Sequence, residues 1–141
     1  MFGLGKKKEV DCDVNIAEKF AAEAEGYYRS GKMHCAEAVL SSVLRNLRPV
    51  TNEEIIQMAT GFGGGSGAGC VCGAVVGGTM AFGLICGDNK KRVKTLTREL
   101  HRWFKDQYGA TCCKVILQTR GKICYELTGK VAGKVAEMLQ N

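Results

Sequence analysis

The chain has 141 residues, 24% of them charged and 45% hydrophobic, and a formal net charge of +6. This length fits one domain burying roughly two-thirds of its unfolded surface, and the composition is ordinary for a folded soluble protein. The charge is mild and no nucleic-acid motif accompanies it, so no nucleic-acid partner is expected.

One proline and nineteen glycines are an uneven pair of counts. Scarce proline favours long uninterrupted helices. The glycine is concentrated from Thr60 to Gly87, a stretch with eleven glycines, no charged residue, and Cys70, Cys72 and Cys86. From Cys70 to Cys86 run seventeen uncharged residues; their glycines lower the hydrophobicity, and a packed core helix is expected rather than a membrane span. Met1-Phe2-Gly3-Leu4-Gly5 is too short for the apolar run of a secretory signal, and the lysines follow it rather than precede it. A cytoplasmic location is therefore expected. There, eight cysteines point to metal ligation or redox chemistry rather than to disulfides.

Residues 1–12, with Lys6-Lys7-Lys8, read as a flexible basic arm, and residues 13–141 as a single helical domain. Asp13 or Asn15 can cap a first helix whose apolar face is Ile16, Phe20, Ala24 and Tyr27, stopping at Gly31. A second helix starts near His34 and runs to about Asn46, with Ala36, Val39, Leu40, Val43, Leu44 and Leu47 buried and Pro49 blocking continuation. Cys35 falls in its first turn, where free backbone N–H groups and the helix dipole favour a thiolate. Thr51-Asn52-Glu53-Glu54 reads as a capping box with Thr51 as N-cap. The helix it opens holds Ile55, Ile56, Met58 and Ala59 and ends at Gly61.

A glycine loop leads to a fourth helix, roughly Val71 to Cys86, with Gly73, Gly77, Ala81 and Leu84 on one stripe. Such a stripe suits close packing against a neighbouring backbone, a bulky cofactor, or a helix of a second subunit in a homodimer. After Asp88-Asn89 a fifth helix runs to about Tyr108, with Val93, Leu96, Leu100, Trp103, Phe104 and Gln107 on or near one side. Its cations, Lys90, Lys91, Arg92, Lys94, Arg98, Arg102 and Lys105, read as a solvated face. Gly109 closes it, Thr111 can cap a short helix containing Cys112 and Cys113, and Gly121 breaks the pattern. The last helix starts near Cys124 with Leu127, Val131, Val135 and Met138 on one stripe. No segment alternates with period two. The expected fold is all-α, a compact bundle of six or seven helices around the Gly-rich central helix.

The cysteines are Cys12, Cys35, Cys70, Cys72, Cys86, Cys112, Cys113 and Cys124. No C-x-x-C occurs, which removes thioredoxin-type motifs, covalent c-type haem and paired zinc fingers; the ferredoxin ligand run is also missing. What remains is a dispersed set, mostly near helix starts. Cys12 and Cys86 read as a surface and a core residue.

Cys72-Gly73-Ala74-Val75-Val76-Gly77 spells CGAxxG and follows the run Gly61-Phe62-Gly63-Gly64-Gly65. Upstream stands His34-Cys35-Ala36-Glu37, and downstream stand Cys113 and Cys124. Together, over about residues 14–140, these resemble the C_GCAxxG_C_C family of small proteins described as redox-active. The resemblance implies a helical domain with four signature cysteines, which by position are Cys35, Cys72, Cys113 and Cys124. Cys112 adjoins the third of them, and Cys70, Cys112 and Cys86 are additional candidates.

Four cysteines from separate segments suit an iron–sulfur cluster for electron transfer or redox sensing, the favoured expectation, with glycine-loop N–H groups near the sulfurs. A thiol–disulfide cycle without metal is the second, through Cys70/Cys72 or Cys112/Cys113. A structural four-cysteine zinc site in a small interaction or scaffold domain is the third. Either redox role calls for a redox partner protein. His34 beside Cys35 does not make a dyad, because adjacent helical residues point apart, and His101 reads as a surface residue.

Overall fold

The computed structural model describes residues 2–48 and 52–140, with side chains from residue 16 onward. Among the described residues there are seven α-helices: α1 Phe2–Arg29, α2 Cys35–Leu47, α3 Glu53–Gln57, α4 Gly73–Cys86, α5 Lys90–Tyr108, α6 Cys113–Arg120 and α7 Cys124–Gln140. The fold is the expected all-α bundle. Among the described residues no helix is long and apolar enough to cross a membrane.

Several boundaries differ from the sequence expectation. Asp13 and Asn15 lie inside α1 rather than at its start, and the side chains of the basic arm, Cys12 among them, lie outside the described residues. Pro49 and Thr51 also lie outside them. The N-cap of α3 is Asn52, whose side chain accepts the Glu54 N–H at 2.9 Å. That helix stops at Gln57, well before Gly61, and leaves Met58 71% exposed. Gly31 and Gly109 do end their helices, each with the left-handed φ that a β-carbon disfavours (79° and 82°).

The core is a layered contact of α1, α2, α4, α5 and α7. Phe20, Leu40, Leu44, Phe82, Leu100 and Phe104 are its largest fully enclosed side chains. The amphipathic patterns of α2 and α5 supply one face each; α4, apolar all round, sits between them and α7. Ser42 is buried at no cost in hydrogen bonding, because its hydroxyl donates to the Phe20 carbonyl at 2.7 Å.

Two small-residue contacts set the helix spacing. On α4, a β-carbon at Gly77 would stand 2.5 Å from the Ala36 carbonyl oxygen and 3.1 Å from its Cα, so α2 lies directly on the α4 backbone. Gly77 of the small-residue stripe is thus packed within the chain. On α7, β-carbons at Gly129 and Gly133 would stand 2.9 and 3.1 Å from the carbonyl oxygens of Ala21 and Ala17. This antiparallel register carries on toward the other end of the pair, where Arg29 stacks over the Tyr125 ring at 4.0 Å.

Gly77→Ala must push two backbones apart, and we expect a loss of about 1–3 kcal/mol, the usual cost of overpacking. Gly83→Ala is the control: nothing lies within 4 Å of its added carbon, and the better helix former should stabilise by about 0.5–1 kcal/mol. Thermal or urea unfolding followed by circular dichroism reads both.

Candidate functional site

Four helices begin at cysteines. Cys35, Cys113 and Cys124 are the first residues of α2, α6 and α7, and Cys72 is the N-cap of α4. All four line one cavity of about 860 Å³, walled also by Tyr28 of α1, by Gly61, Gly63 and Gly64 of the loop, and by Ile116, Leu117 and Leu127. At a helix start the unpaired N–H groups face outward along the axis, so each sulfur sits where partial positive charge is concentrated.

The loop between α3 and α4 builds much of this wall. Gly64, Gly65, Ser66 and Gly67 all take left-handed φ, from 63° to 69°, and wind one tight turn of the wrong hand for L-residues. Gly65 is enclosed in it: a β-carbon there would meet the Cys70 nitrogen at 2.5 Å and the Cys113 Cβ at 2.8 Å. The turn directs the Gly64 N–H at the Cys35 sulfur. The chain then runs antiparallel to the start of α6 for one bridge, Val71 with Cys112. The Cys113 N–H donates to the Cys70 carbonyl, and the Cys72 N–H donates to the Thr111 carbonyl at 2.8 Å. Thr111 was expected as a helix cap. It serves through its backbone instead, and the N-cap of α6 is Cys112, without a side-chain capping bond.

Cys35 and Cys72 meet at the centre. A β-carbon on Gly73 would collide with the Cys35 sulfur and stand 2.8 Å from the Phe62 carbonyl oxygen. Glycine at this position is what lets the sulfur of α2 rest on the first turn of α4. The Cys72 thiol donates to the Cys35 sulfur, which also receives backbone N–H groups of Gly64, Ala36 and Cys35 itself. These bonds outweigh the cost of burial and draw the Cys35 thiol down to about 6. Cys72 is pushed the other way, first by that same bond and then by burial and the Cys35 charge. The pair shares one proton, held on Cys72.

The other two thiols lie at the wall. Cys113 is raised by burial, then by the neighbouring Cys124, Cys35 and Cys112. Tyr28 is pushed up to about 12 by burial, with its bond to Cys124 adding to this. Tyr108, at the end of α5, is likewise at about 12, through burial first and then its electrostatic neighbours Glu126 and Cys72. No carboxylate is among the described residues lining the cavity; its basic groups are His34 and Lys122.

The remaining cysteines point elsewhere. Cys70 is exposed, and the Cys112 sulfur donates to the Gly69 carbonyl at 3.1 Å, away from the cavity. Cys86 is buried at the far end of α4, about 20 Å from Cys72 along a helix of 1.5 Å rise. The close pair is therefore Cys35 with Cys72, not Cys70/Cys72 or Cys112/Cys113. His34 is exposed at the cavity rim, and His101 bonds through Nδ1 to the Thr97 carbonyl at 2.8 Å. Sequence reasoning missed Tyr28, Tyr108 and Lys122. Nothing in the local pattern marks Tyr28, which adjoins a tyrosine on the apolar face; only the α1–α7 register brings it to Cys124.

Among the described residues no group of three or more His, Cys, Asp or Glu side chains is gathered closely enough to hold a metal ion. The arrangement is that of a helical domain with four thiols, from four helix starts, facing one cavity. A family model described as "Putative redox-active protein (C_GCAxxG_C_C)" matches residues 33–138, and the chain belongs to that family. Comparisons with curated proteins and with solved structures give no match.

In the reduced, metal-free protein, alkylation of Cys35 should rise with pH through about 6, well below the usual range near 8.5. A depressed thiol pKa stabilises the fold above the unfolded value and loses that contribution as pH falls through about 6. Cys72→Ala removes the largest cause, so the inflection should move up toward the ordinary thiol range. Mass spectrometry of timed iodoacetamide labelling measures both.

Proposed function

We propose that the four-cysteine cavity is an electron-transfer or redox-sensing centre and that Cys35, Cys72, Cys113 and Cys124 hold an iron–sulfur cluster in it. The observation that carries this reading is that the four thiols, and no other sulfur among the described residues, line a single cavity. The donor set fits the group. All four donors are thiols, no carboxylate competes, and backbone N–H groups reach the sulfurs of Cys35 and Cys72. Such bonds both orient the ligands and offset the negative charge of ligated thiolates.

A structural zinc ion is less well supported. Four thiolates at about 2.3 Å from one ion must crowd together tetrahedrally, and no three ligating side chains among the described residues are so gathered. The same applies to the irons of a cluster; what favours a cluster over zinc is the family's description as redox-active, since zinc has no redox chemistry. When bound, a cluster would supply one-electron chemistry. The protein's own part is to hold the sulfurs on rigid helix starts, to surround them with apolar side chains, and to keep Lys122 and His34 as the nearest basic groups.

A second reading is favoured by the contact of Cys35 with Cys72. Without metal, the Cys35 thiolate and the Cys72 thiol can join as a disulfide, giving two electrons to an acceptor and releasing the one proton held on Cys72. Cys35, the thiolate, is the attacking sulfur.

Anaerobic purification should yield a coloured protein containing iron and acid-labile sulfide, and Cys35→Ser, Cys72→Ser, Cys113→Ser or Cys124→Ser should each lose the colour. Cys86→Ser should keep it. A colourless, iron-free protein that also resists anaerobic reconstitution rejects the cluster. A reversible Cys35–Cys72 disulfide in that preparation would put the second reading in its place, whereas stoichiometric zinc would restore the third.

A further inference from the structure

The net charge is not spread over the molecule. Helix α5 carries seven cations, Lys90, Lys91, Arg92, Lys94, Arg98, Arg102 and Lys105, against two acids, Glu99 and Asp106. The excess of five is nearly the whole formal charge of +6. All seven cations are exposed. Lys91, Lys94, Arg98, Arg102 and Lys105 recur at steps of three and four, so they fall on one line along the helix. From first to last the line is about 21 Å long at 1.5 Å per residue.

Two features separate this line from an ordinary solvated face. Among the described residues none of these side chains is in an ion pair, although Asp106 is placed four residues after Arg102. Unpaired like charges along one helix repel one another. The line also ends close to Cys72 along the chain: Lys105 is one turn before Tyr108, and three residues further the Thr111 carbonyl accepts the Cys72 N–H at 2.8 Å. Tyr108 in turn stacks on Phe104, ring centroids 4.8 Å apart.

We propose that the line from Lys91 to Lys105 is the docking surface for a redox partner protein bearing an acidic patch. It would seat that partner by the Tyr108 end of α5, next to Cys72. This rests on the redox reading of the cavity, but the surface can be tested without it. Charge complementarity argues for the partner, since an exposed row of one sign steers and orients an oppositely charged protein. A lipid surface fits less well. Every exposed residue of α5 is polar, leaving no apolar side chain beside the cations to enter a bilayer. Nucleic acid fits less well too: Glu99 and Asp106 border the line, and its one indole, Trp103, is half-buried and faced by Lys134 at 5.7 Å.

The test uses the full chain and two probes. In stopped-flow experiments a reduced acidic plant-type ferredoxin should reduce the protein with a rate that falls about tenfold or more between low and high salt. The combined Lys94→Glu, Arg98→Glu, Arg102→Glu variant should lose a similar factor at low salt, with the Gln equivalents intermediate. A basic c-type cytochrome should show the opposite ordering. In parallel, anisotropy of a labelled poly-glutamate peptide should report binding to the wild type and its loss in the Glu variant, whatever the cavity holds. Circular dichroism checks that the variants fold. Rates and peptide binding indifferent to salt and to charge reversal would overturn the proposal. So would a reversal that abolishes binding to a DNA duplex or to phosphatidylglycerol vesicles but leaves the ferredoxin rate unchanged. A protein that accepts no electrons from dithionite, yet binds the peptide through these residues, would reject the redox reading and keep an acidic-protein surface.

Discussion

The structure turns on how closely α2 can lie on α4. Two glycines one turn apart set that distance. Gly77 admits the Ala36 backbone, and Gly73 admits the Cys35 sulfur. The two contacts are linked, because Cys35 and Ala36 are consecutive and move with the same helix end. A methyl group at either place would lift the start of α2 from α4 and part Cys35 from Cys72. The CGAxxG segment is therefore a packing device and a chemical one together: Cys72 supplies a sulfur, the glycines bring a second sulfur onto it, and Ala74 is fully buried beneath.

Once the two sulfurs are that near, their electrostatics follow. Two thiolates in contact inside an apolar wall repel strongly, so one keeps its proton. Backbone N–H groups reach both sulfurs, from Ala74 and Val75 on Cys72 and from Gly64, Ala36 and Cys35 on Cys35. The Gly64 N–H comes from the loop that winds through a left-handed turn. Glycine at Gly64, Gly65 and Gly67 makes the turn accessible; Ser66 adopts the same φ at a cost in strain. The loop that contains no charge thus contributes one of the N–H groups that favour the charge on Cys35.

The helices and most of their ends were legible from apolar periodicity and from Gly31 and Gly109. The four cavity cysteines were legible through the spacing of the motif, not through local pattern. What was not legible has physical causes. The early end of α3 depends on the loop after it, since Ile55 to Ala59 would be acceptable in a longer helix. The role of Thr111 depends on a carbonyl meeting a residue nearly forty positions away. The pairing of Cys35 with Cys72 arises from the α2–α4 contact, whereas sequence neighbours such as Cys70 and Cys72 were brought forward by proximity along the chain. In the structure the backbone between those two is extended and hydrogen-bonded to the start of α6, which turns Cys70 out to solvent and Cys72 in.

Charge is divided between interior and surface in a way that follows from the same packing. The cavity contains several sulfurs able to bear negative charge, and no carboxylate was placed among its described lining residues. Added carboxylates would raise the cost of ionising the thiols. The compensating cations cannot stand deep inside, because an unpaired buried lysine is itself expensive; Lys122 reaches the wall from the turn between α6 and α7, and the rest lie outside on α5. An apolar central helix leaves no other arrangement. With α4 enclosed by α2, α5 and α7, basic residues can be carried only on the outer faces of those neighbours, and α5 is the one whose end leads, through Thr111, to a backbone bond with Cys72.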